Sequence, residues 1–230
     1  MKKFVVVILA ISVFLSANAQ KNRFKPLETW PYLYEDFTPG KVLTHKGNTI
    51  EYDILNINIA DGKVHYVQDG TIMQADMNTI AAIRIGQDIY YNKGGHVYKA
   101  LSESAHGAVL LKTEVDLDEL SKADIGYGKS SLASVTNVSA FVLPGGNNIN
   151  KSLEDITNNR YSGKELPIKE KYYIMVDGTL IRAAKKDILD WSGNNKNTVK
   201  DYLKTNKIRW KDVFGLSKLA DYLYEINNNR

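Results

Sequence analysis

Cysteine is absent from the 230 residues. That excludes a disulfide framework, a thiolate metal site and a cysteine nucleophile. It also excludes a bacterial lipoprotein, whose acylation needs a cysteine at the mature N-terminus. Proline is scarce at 5 residues and glycine stands at 16, so collagen-like and low-complexity chains are excluded too. An apolar share of 43% is too high for intrinsic disorder. After residue 20, no apolar run is long enough to span a bilayer.

What is present begins with a leader. Residues 1–20 read MKKFVVVILAISVFLSANAQ. Lys2 and Lys3 form a basic start, Phe4 to Leu15 an uncharged run, and Ala17-Asn18-Ala19 a small-residue cleavage site. As a helix the run covers about 18 Å, short of the roughly 30 Å hydrocarbon core, so it reads as a signal peptide over 1–19 rather than an anchor. Cleavage between Ala19 and Gln20 removes two lysines and lowers the net charge from +4 to +2. The basicity of the whole chain therefore gives no ground for nucleic acid as a partner. The expected location is the periplasm or outer surface of a Gram-negative cell, where cytosolic ATP and nicotinamide cofactors are not at hand. The mature chain is expected to be water-soluble.

Residues 28–118 read as an antiparallel β-rich region of six to eight strands arranged as a meander. Turn signals recur at Lys46-Gly47-Asn48, Asp61-Gly62, Asp69-Gly70, Gly86, Gly94-Gly95 and His106-Gly107, with runs rich in Ile, Val, Tyr and Thr between them. Along 108–117, Val109, Leu111, Thr113, Val115 and Leu117 alternate with Lys112, Glu114 and Asp116, which predicts one buried and one wet face. Along 49–59 the alternation slips: Ile50, Tyr52 and Ile54 are apolar on even positions, then Leu55, Ile57 and Ile59 on odd ones. A strand absorbs such a slip with an extra residue, so a bulge or sharp bend is expected at Ile54-Leu55.

Glycine, serine and asparagine break the periodicity over 119–168, which reads as an irregular, partly mobile connection with a short strand at about 132–143. Residues 169–228 read as a hairpin turning at Asp177-Gly178, followed by about three short amphipathic helices. These cover about 185–191, a stretch starting after Asn197 as N-cap, and one following Asp212 or Ser217 with Leu216, Leu219, Leu223 and Ile226 in helical spacing. The open sheet face is the surface that these helices need. The fold class is α+β.

No motif points to catalysis. Gly128-Lys129-Ser130 ends like a phosphate loop, but Ala123 stands where its first glycine belongs. His45, His65, His96 and His106 lack ligand spacing, although His65 and His96 could meet across strands. Asp116, Asp118 and Glu119 read as a wet strand end rather than a calcium loop. No G-x-S-x-G elbow occurs, and no cofactor or metal is expected. In an extended segment Trp30, Tyr32 and Tyr34 share a face and form a candidate ligand-contact row. The other reading is an N-terminal arm lying over the core, kept off a central strand by Pro31. Within 182–211 there are nine basic and three acidic residues. Lys196, Lys200 and Lys204, with Lys207 and Lys211 on a continuous helix, make a candidate anion-contact stripe, although Asn206 is expected to end the helix first; the other and favoured reading is an ordinary solvated face.

The chain also resembles a large group of uncharacterised exported proteins of Gram-negative gut and environmental bacteria. The matching residues are Trp30-Pro31-Tyr32 with Phe37 and Gly40, Gly47, Leu55-Asn56-Ile57-Asn58, and Gly86 before Ile89-Tyr90-Tyr91. They continue through Gly126-Tyr127-Gly128-Lys129-Ser130-Ser131 and the tail from Ile188-Leu189 through Tyr202-Leu203 and Asn206-Lys207-Ile208 to Tyr222-Leu223. The resemblance implies export and a β-rich fold and carries no catalytic residues. The expected function is that of an exported, non-catalytic cell-envelope protein that binds or scaffolds a macromolecular partner, an envelope protein or glycan. A glycan-binding module using the aromatic row is the alternative, and an envelope hydrolase the third. Expressed in a Gram-negative host, the chain should be recovered from the envelope with the intact mass of residues 20–230. Uncut protein in the cytoplasmic fraction would contradict export.

Overall fold

The structure, a computed structural model, describes residues 25–27, 29–119, 148–161 and 165–228. Eight strands fill the first region: β1 (Thr38–Thr44), β2 (Thr49–Asn58), β3 (Lys63–Gln68), β4 (Thr71–Gln74), β5 (Ile80–Ile85), β6 (Asp88–Lys93), β7 (His96–Glu103) and β8 (Gly107–Val115). Then follow β9 (Asn148–Ser152), helix α1 (Leu153–Asn159), β10 (Ile168–Val176) and β11 (Thr179–Arg182). Helices α2 (Lys185–Trp191), α3 (Lys196–Thr205) and α4 (Val213–Asn228) close the chain, with a 3-10 turn at Gly193–Asn195. Among the described residues no helix is long and apolar enough to cross a membrane.

The architecture is α+β, and the sheet is larger than the six to eight strands expected. Eleven strands join in the order β11-β10-β8-β7-β6-β5-β1-β2-β3-β4-β9, every pair antiparallel. The count rises because the hairpin β10-β11 extends the sheet beyond β8 and β9 adds to the edge at β4. Nor is the first region a plain meander, because β5 pairs with β1 and not with β4. The 119–168 connection likewise contains elements that the sequence reading missed. Ser152 caps α1 by accepting a bond from Glu154 N–H at 3.2 Å. The stretch 132–143 lies outside the described residues.

The slip in β2 is realised as a bulge. Gly40 pairs with Tyr52 and Thr38 with Leu55, so three steps on β2 oppose two on β1. Before the irregularity β2 pairs with β1, and from Leu55 onward it pairs with β3. Its inward residues switch from even to odd positions, and Leu55 and Ile57 end up buried. A bulge bends the strand that carries it, so β2 turns a corner where it passes from β1 to β3.

The link from β4 to β5 requires that corner. Ala75 N–H donates to Val64 O beside one end of β2, while His45 N–H donates to Thr79 O beside the other. On a flat sheet these positions would lie more than about 30 Å apart. Four peptide steps reach about 14 Å at most, and here they also contain a turn, Thr79 N–H to Asp76 O at 3.1 Å. The sheet therefore curls around Val42, Leu55, Ile57, Val64, Ile83, Ile85, Tyr90 and Val97. Val97 N–H to Gly62 O and Val115 N–H to Ile59 O fasten the β2–β3 turn against β7 and β8.

A second core lies between the helices and the outer strands. Val109, Ile174, Val176 and Ile181 meet Ile188 of α2, Val199 and Leu203 of α3, and Leu216, Leu219 and Leu223 of α4. Each fully buried leucine contributes about 1.5–3 kcal/mol, enough to hold a ten-residue helix that would be marginal alone. The helix α3 starts at Lys196, ahead of the expected cap at Asn197, because the 3-10 turn already sets the chain in helical geometry. Asp177 (φ 48°) and Gly178 (φ 74°) make the two-residue turn between β10 and β11. The simple wet face expected of β8 is corrected as well: Ala108 and Leu110 on that side are buried with Tyr98, and Tyr173 packs against them.

Strand β8 and helix α4 approach closely at Gly107. A Cβ there would sit 2.6 Å from Met175 O and 3.1 Å from the Ala220 Cβ. Gly107→Ala should therefore cost about 1–3 kcal/mol, seen as a lower urea midpoint. An unchanged midpoint would show that strand and helix have room to spare.

Candidate functional site

The aromatic row is an arm over the core. Trp30 is 1% and Tyr32 0% exposed. Leu33 N–H donates to Ile57 O and Ile59 N–H to Pro31 O, so the arm pairs with the half of β2 that β1 has left. Pro31 has no N–H to offer and uses only its carbonyl. Trp30, Tyr32 and Phe37 pack edge to face, with centroids 4.7–6.1 Å apart, and Arg160 lies 5.0 Å over the Trp30 ring. Tyr34 departs from the row. Its hydroxyl donates to Asp88 Oδ2 at 2.9 Å and lies 2.5 Å from the Tyr90 hydroxyl. Trp30, Tyr32 and Tyr34 thus form no solvent-facing platform, because the arm needs one buried face to hold it on the sheet.

Asn56 pins the arm. Its Oδ1 accepts from Tyr34 N–H at 3.1 Å, and its Nδ2 donates to Tyr34 O and Asp36 O. Beneath lies fully buried His65, with Nδ1 3.1 Å from the Tyr32 hydroxyl and Nε2 3.3 Å from Asp61 Oδ2, the latter out of hydrogen-bond alignment. Burial of Tyr32, with Asp61 nearby, raises its phenol well above the ordinary value, so the hydroxyl keeps its proton. His45 and His106 are exposed, and His106 stacks on Tyr224 at 4.2 Å. Burial lowers the His96 pKa, with Lys112 adding to the effect and Asp61 and Glu114 opposing it. Among the described residues, no three His, Asp or Glu side chains gather in a way that could hold a metal. Asp116 acts as a cap: its Oδ1 accepts from Asp118 and Glu119 N–H. Gly128-Lys129-Ser130, Ala19 and Gln20 lie outside the described residues.

The basic segment is where surface chemistry gathers. All nine cations of 182–211 are exposed: Arg182, Lys185, Lys186, Lys196, Lys200, Lys204, Lys207, Arg209 and Lys211. On α3, Lys196, Lys200 and Lys204 follow at intervals of four beside the buried stripe of Val199 and Leu203. Among the described residues only Lys196 of the nine has an ion-pair partner, Asp190 at 3.2 Å. The helix stops at Asn206, as expected, so Lys207 and Lys211 leave its line.

That stop has a defined geometry. Lys207 N–H donates to Lys204 O and Ile208 N–H to Leu203 O, both at 3.4 Å, with Lys207 at φ 46°. This is the Schellman arrangement, with lysine where glycine is usual, and Ile208 and Leu203 share the core beneath it. The turn brings Trp210 and Lys211 back against β10 and the start of α2. There a groove of about 230 Å³ is lined by Glu170, Lys171, Tyr172, Arg182, Ala183, Ala184, Lys185, Trp210 and Lys211. Sequence reasoning passed over this groove because its parts come from three separate stretches between Glu170 and Lys211. The available signal was an aromatic residue between two cations, Arg209-Trp210-Lys211.

One lysine at the groove margin is held by the fold, its ammonium turned onto β8. Lys171 Nζ lies 2.5 Å from Glu114, which Lys112 also meets at 3.0 Å. Burial raises the Glu114 pKa, but the bonds from Lys171 and Lys112 outweigh it and hold the carboxyl below its ordinary 4.5. The stability tied to this depressed carboxylate is present above 4.5 and lost as pH falls through the folded-state value. Glu114→Gln should therefore flatten the acid limb of urea midpoint against pH. An acid limb identical to that of the parent would remove Glu114 from the linkage.

Comparison with protein-family models, with curated proteins and with solved structures finds no match.

Proposed function

We propose that the protein is an exported, non-catalytic envelope protein that binds an anionic macromolecular partner through the basic face of its C-terminal helices. The supporting observation is the exposure of nine cations against three acids in one segment, eight of the nine without an ion-pair partner among the described residues. Unbalanced charge of this density repels itself and works against the compact state, and an anionic surface relieves it. The charges are spread over β11, α2, α3 and the turn that follows, wider than one phosphate could engage. They fit a surface where negative groups recur, such as lipopolysaccharide. The buried Trp30 and Tyr32 give no support to glycan binding by the N-terminal row.

Each lysine near an anionic surface contributes about 1 kcal/mol, with a strong dependence on salt. Mature protein should co-sediment with vesicles containing lipopolysaccharide at low salt and not with neutral phosphatidylcholine vesicles. Combined Lys200→Glu, Lys204→Glu and Lys207→Glu should weaken that partitioning by at least about a hundredfold. All three positions are exposed, and an unchanged urea midpoint shows that the variant folds. Equal partitioning onto neutral vesicles, or partitioning indifferent to salt and to these changes, would overturn the proposal.

A further inference from the structure

The groove beside Trp210 differs from the rest of the basic face. Elsewhere the cations stand on α2, α3 and the turn that follows, whereas here three of them, Arg182, Lys185 and Lys211, border one concavity together with an indole. None of the three has an ion-pair partner among the described residues, and the Lys171 ammonium is turned away from the groove onto Glu114 of β8. Glu170 is the one acid on the rim, so the groove remains strongly positive.

The volume narrows the ligand. About 230 Å³ lies below the roughly 300–1,000 Å³ of ordinary small-molecule pockets, so the furrow seats a single unit of a ligand rather than enclosing a whole one. It suits one ring carrying one acidic group. The lining narrows it further. Trp210 is half-buried, with part of its ring packed on the helical core, so it is held in place and offers an apolar surface. The C–H face of a pyranose stacks on such an indole. Arg182 presents a planar fork that matches a carboxylate with two parallel bonds, a fit that a lysine ammonium cannot copy. Ala183 and Ala184 keep the floor low between Arg182 and Lys185.

We infer that this groove is a saccharide subsite that holds one acidic sugar residue, its ring against Trp210 and its carboxylate on Arg182, with Lys185 and Lys211 flanking. The inference rests on the anionic-partner reading and deepens it: the broad face supplies attraction and the groove supplies selectivity. The acidic sugar reaches the groove as one unit of a longer glycan, because the site is an open furrow rather than an enclosed cavity.

The test titrates the mature protein with oligogalacturonate, with neutral malto-oligosaccharide of equal length and with inorganic phosphate, following tryptophan fluorescence and amide shifts of 182–185 and 210–211. Oligogalacturonate should bind saturably, the neutral sugar should not, and phosphate should compete only weakly. Arg182→Ala, an exposed position, should weaken binding by at least about tenfold, the usual loss for one charge-assisted contact. Trp210→Ala should do likewise while its partitioning onto lipopolysaccharide vesicles stays at the parental level. Phosphate binding as tightly as the acidic sugar, or the neutral sugar binding equally well, would overturn the subsite. Normal vesicle partitioning without saturable sugar binding would overturn it and leave the basic-face reading intact. Loss of both in the parent protein would remove both readings.

Discussion

The bulge in β2 is the constraint on which the rest of the fold depends. With period-two alternation, an unbroken β2 would bury either Tyr52 or Leu55 and Ile57, but not both sets. One extra residue between Tyr52 and Leu55 lets both halves face the same core. It also turns the strand, so that β1 pairs with its first half and β3 with its second. Only then can the five residues between β4 and β5 join points that a flat sheet would hold far apart. The curl, the β5–β1 pairing and the core around Ile83 and Val97 all follow from this step.

The same corner explains the use made of the N-terminal aromatics. Where β1 stops pairing, the second half of β2 would present an open edge with unpaired N–H and C=O groups. The arm fills that edge through Pro31 and Leu33, and Asn56 ties down the turn beyond. Trp30 and Tyr32 then lie on the outer side of β3 and β4 with Ile72 and Ile156, with His65 inside the layer. Buried polar atoms such as the Asn56 amide and His65 Nδ1 are tolerated here because the arm supplies partners that water would otherwise give.

Local chemistry was legible in the sequence, and long-range placement was not. Every glycine-marked turn from Gly47 to Gly107 falls on a strand junction, because a left-handed or tight position must be filled locally. The helices at 185–191 and after Asp212 appear near their expected bounds, since a buried stripe is a local pattern and Asp212 Oδ1 caps the second by accepting from Phe214 N–H. The junction at 75–79 went unseen because it has no glycine and turns on the Asp76 side chain and carbonyl instead. Strand β9 and helix α1 were hidden among turn-forming residues, since pairing with β4 overrides weak local preference. The Lys207 stop carries no glycine either, so the residues it delivers to the groove gave no warning from spacing alone.

The helical layer separates two demands that usually compete. Its apolar stripes, Val199 and Leu203 on α3 and Leu216, Leu219 and Leu223 on α4, meet the sheet and fix the helices. With the inner sides so committed, the cations have nowhere to go but outward, and their number on the surface reflects how completely the inner sides are used. The turn after α3 is fixed by the same packing, through Ile208 beside Leu203 and Trp210 against the same core. A groove made by a free loop would lose affinity to ordering on each encounter, whereas here that ordering is already supplied by folding. The stability of the second core and the preorganisation of the groove are therefore one property: residues that anchor α3 and α4 to the sheet also set the distance from Trp210 to Arg182.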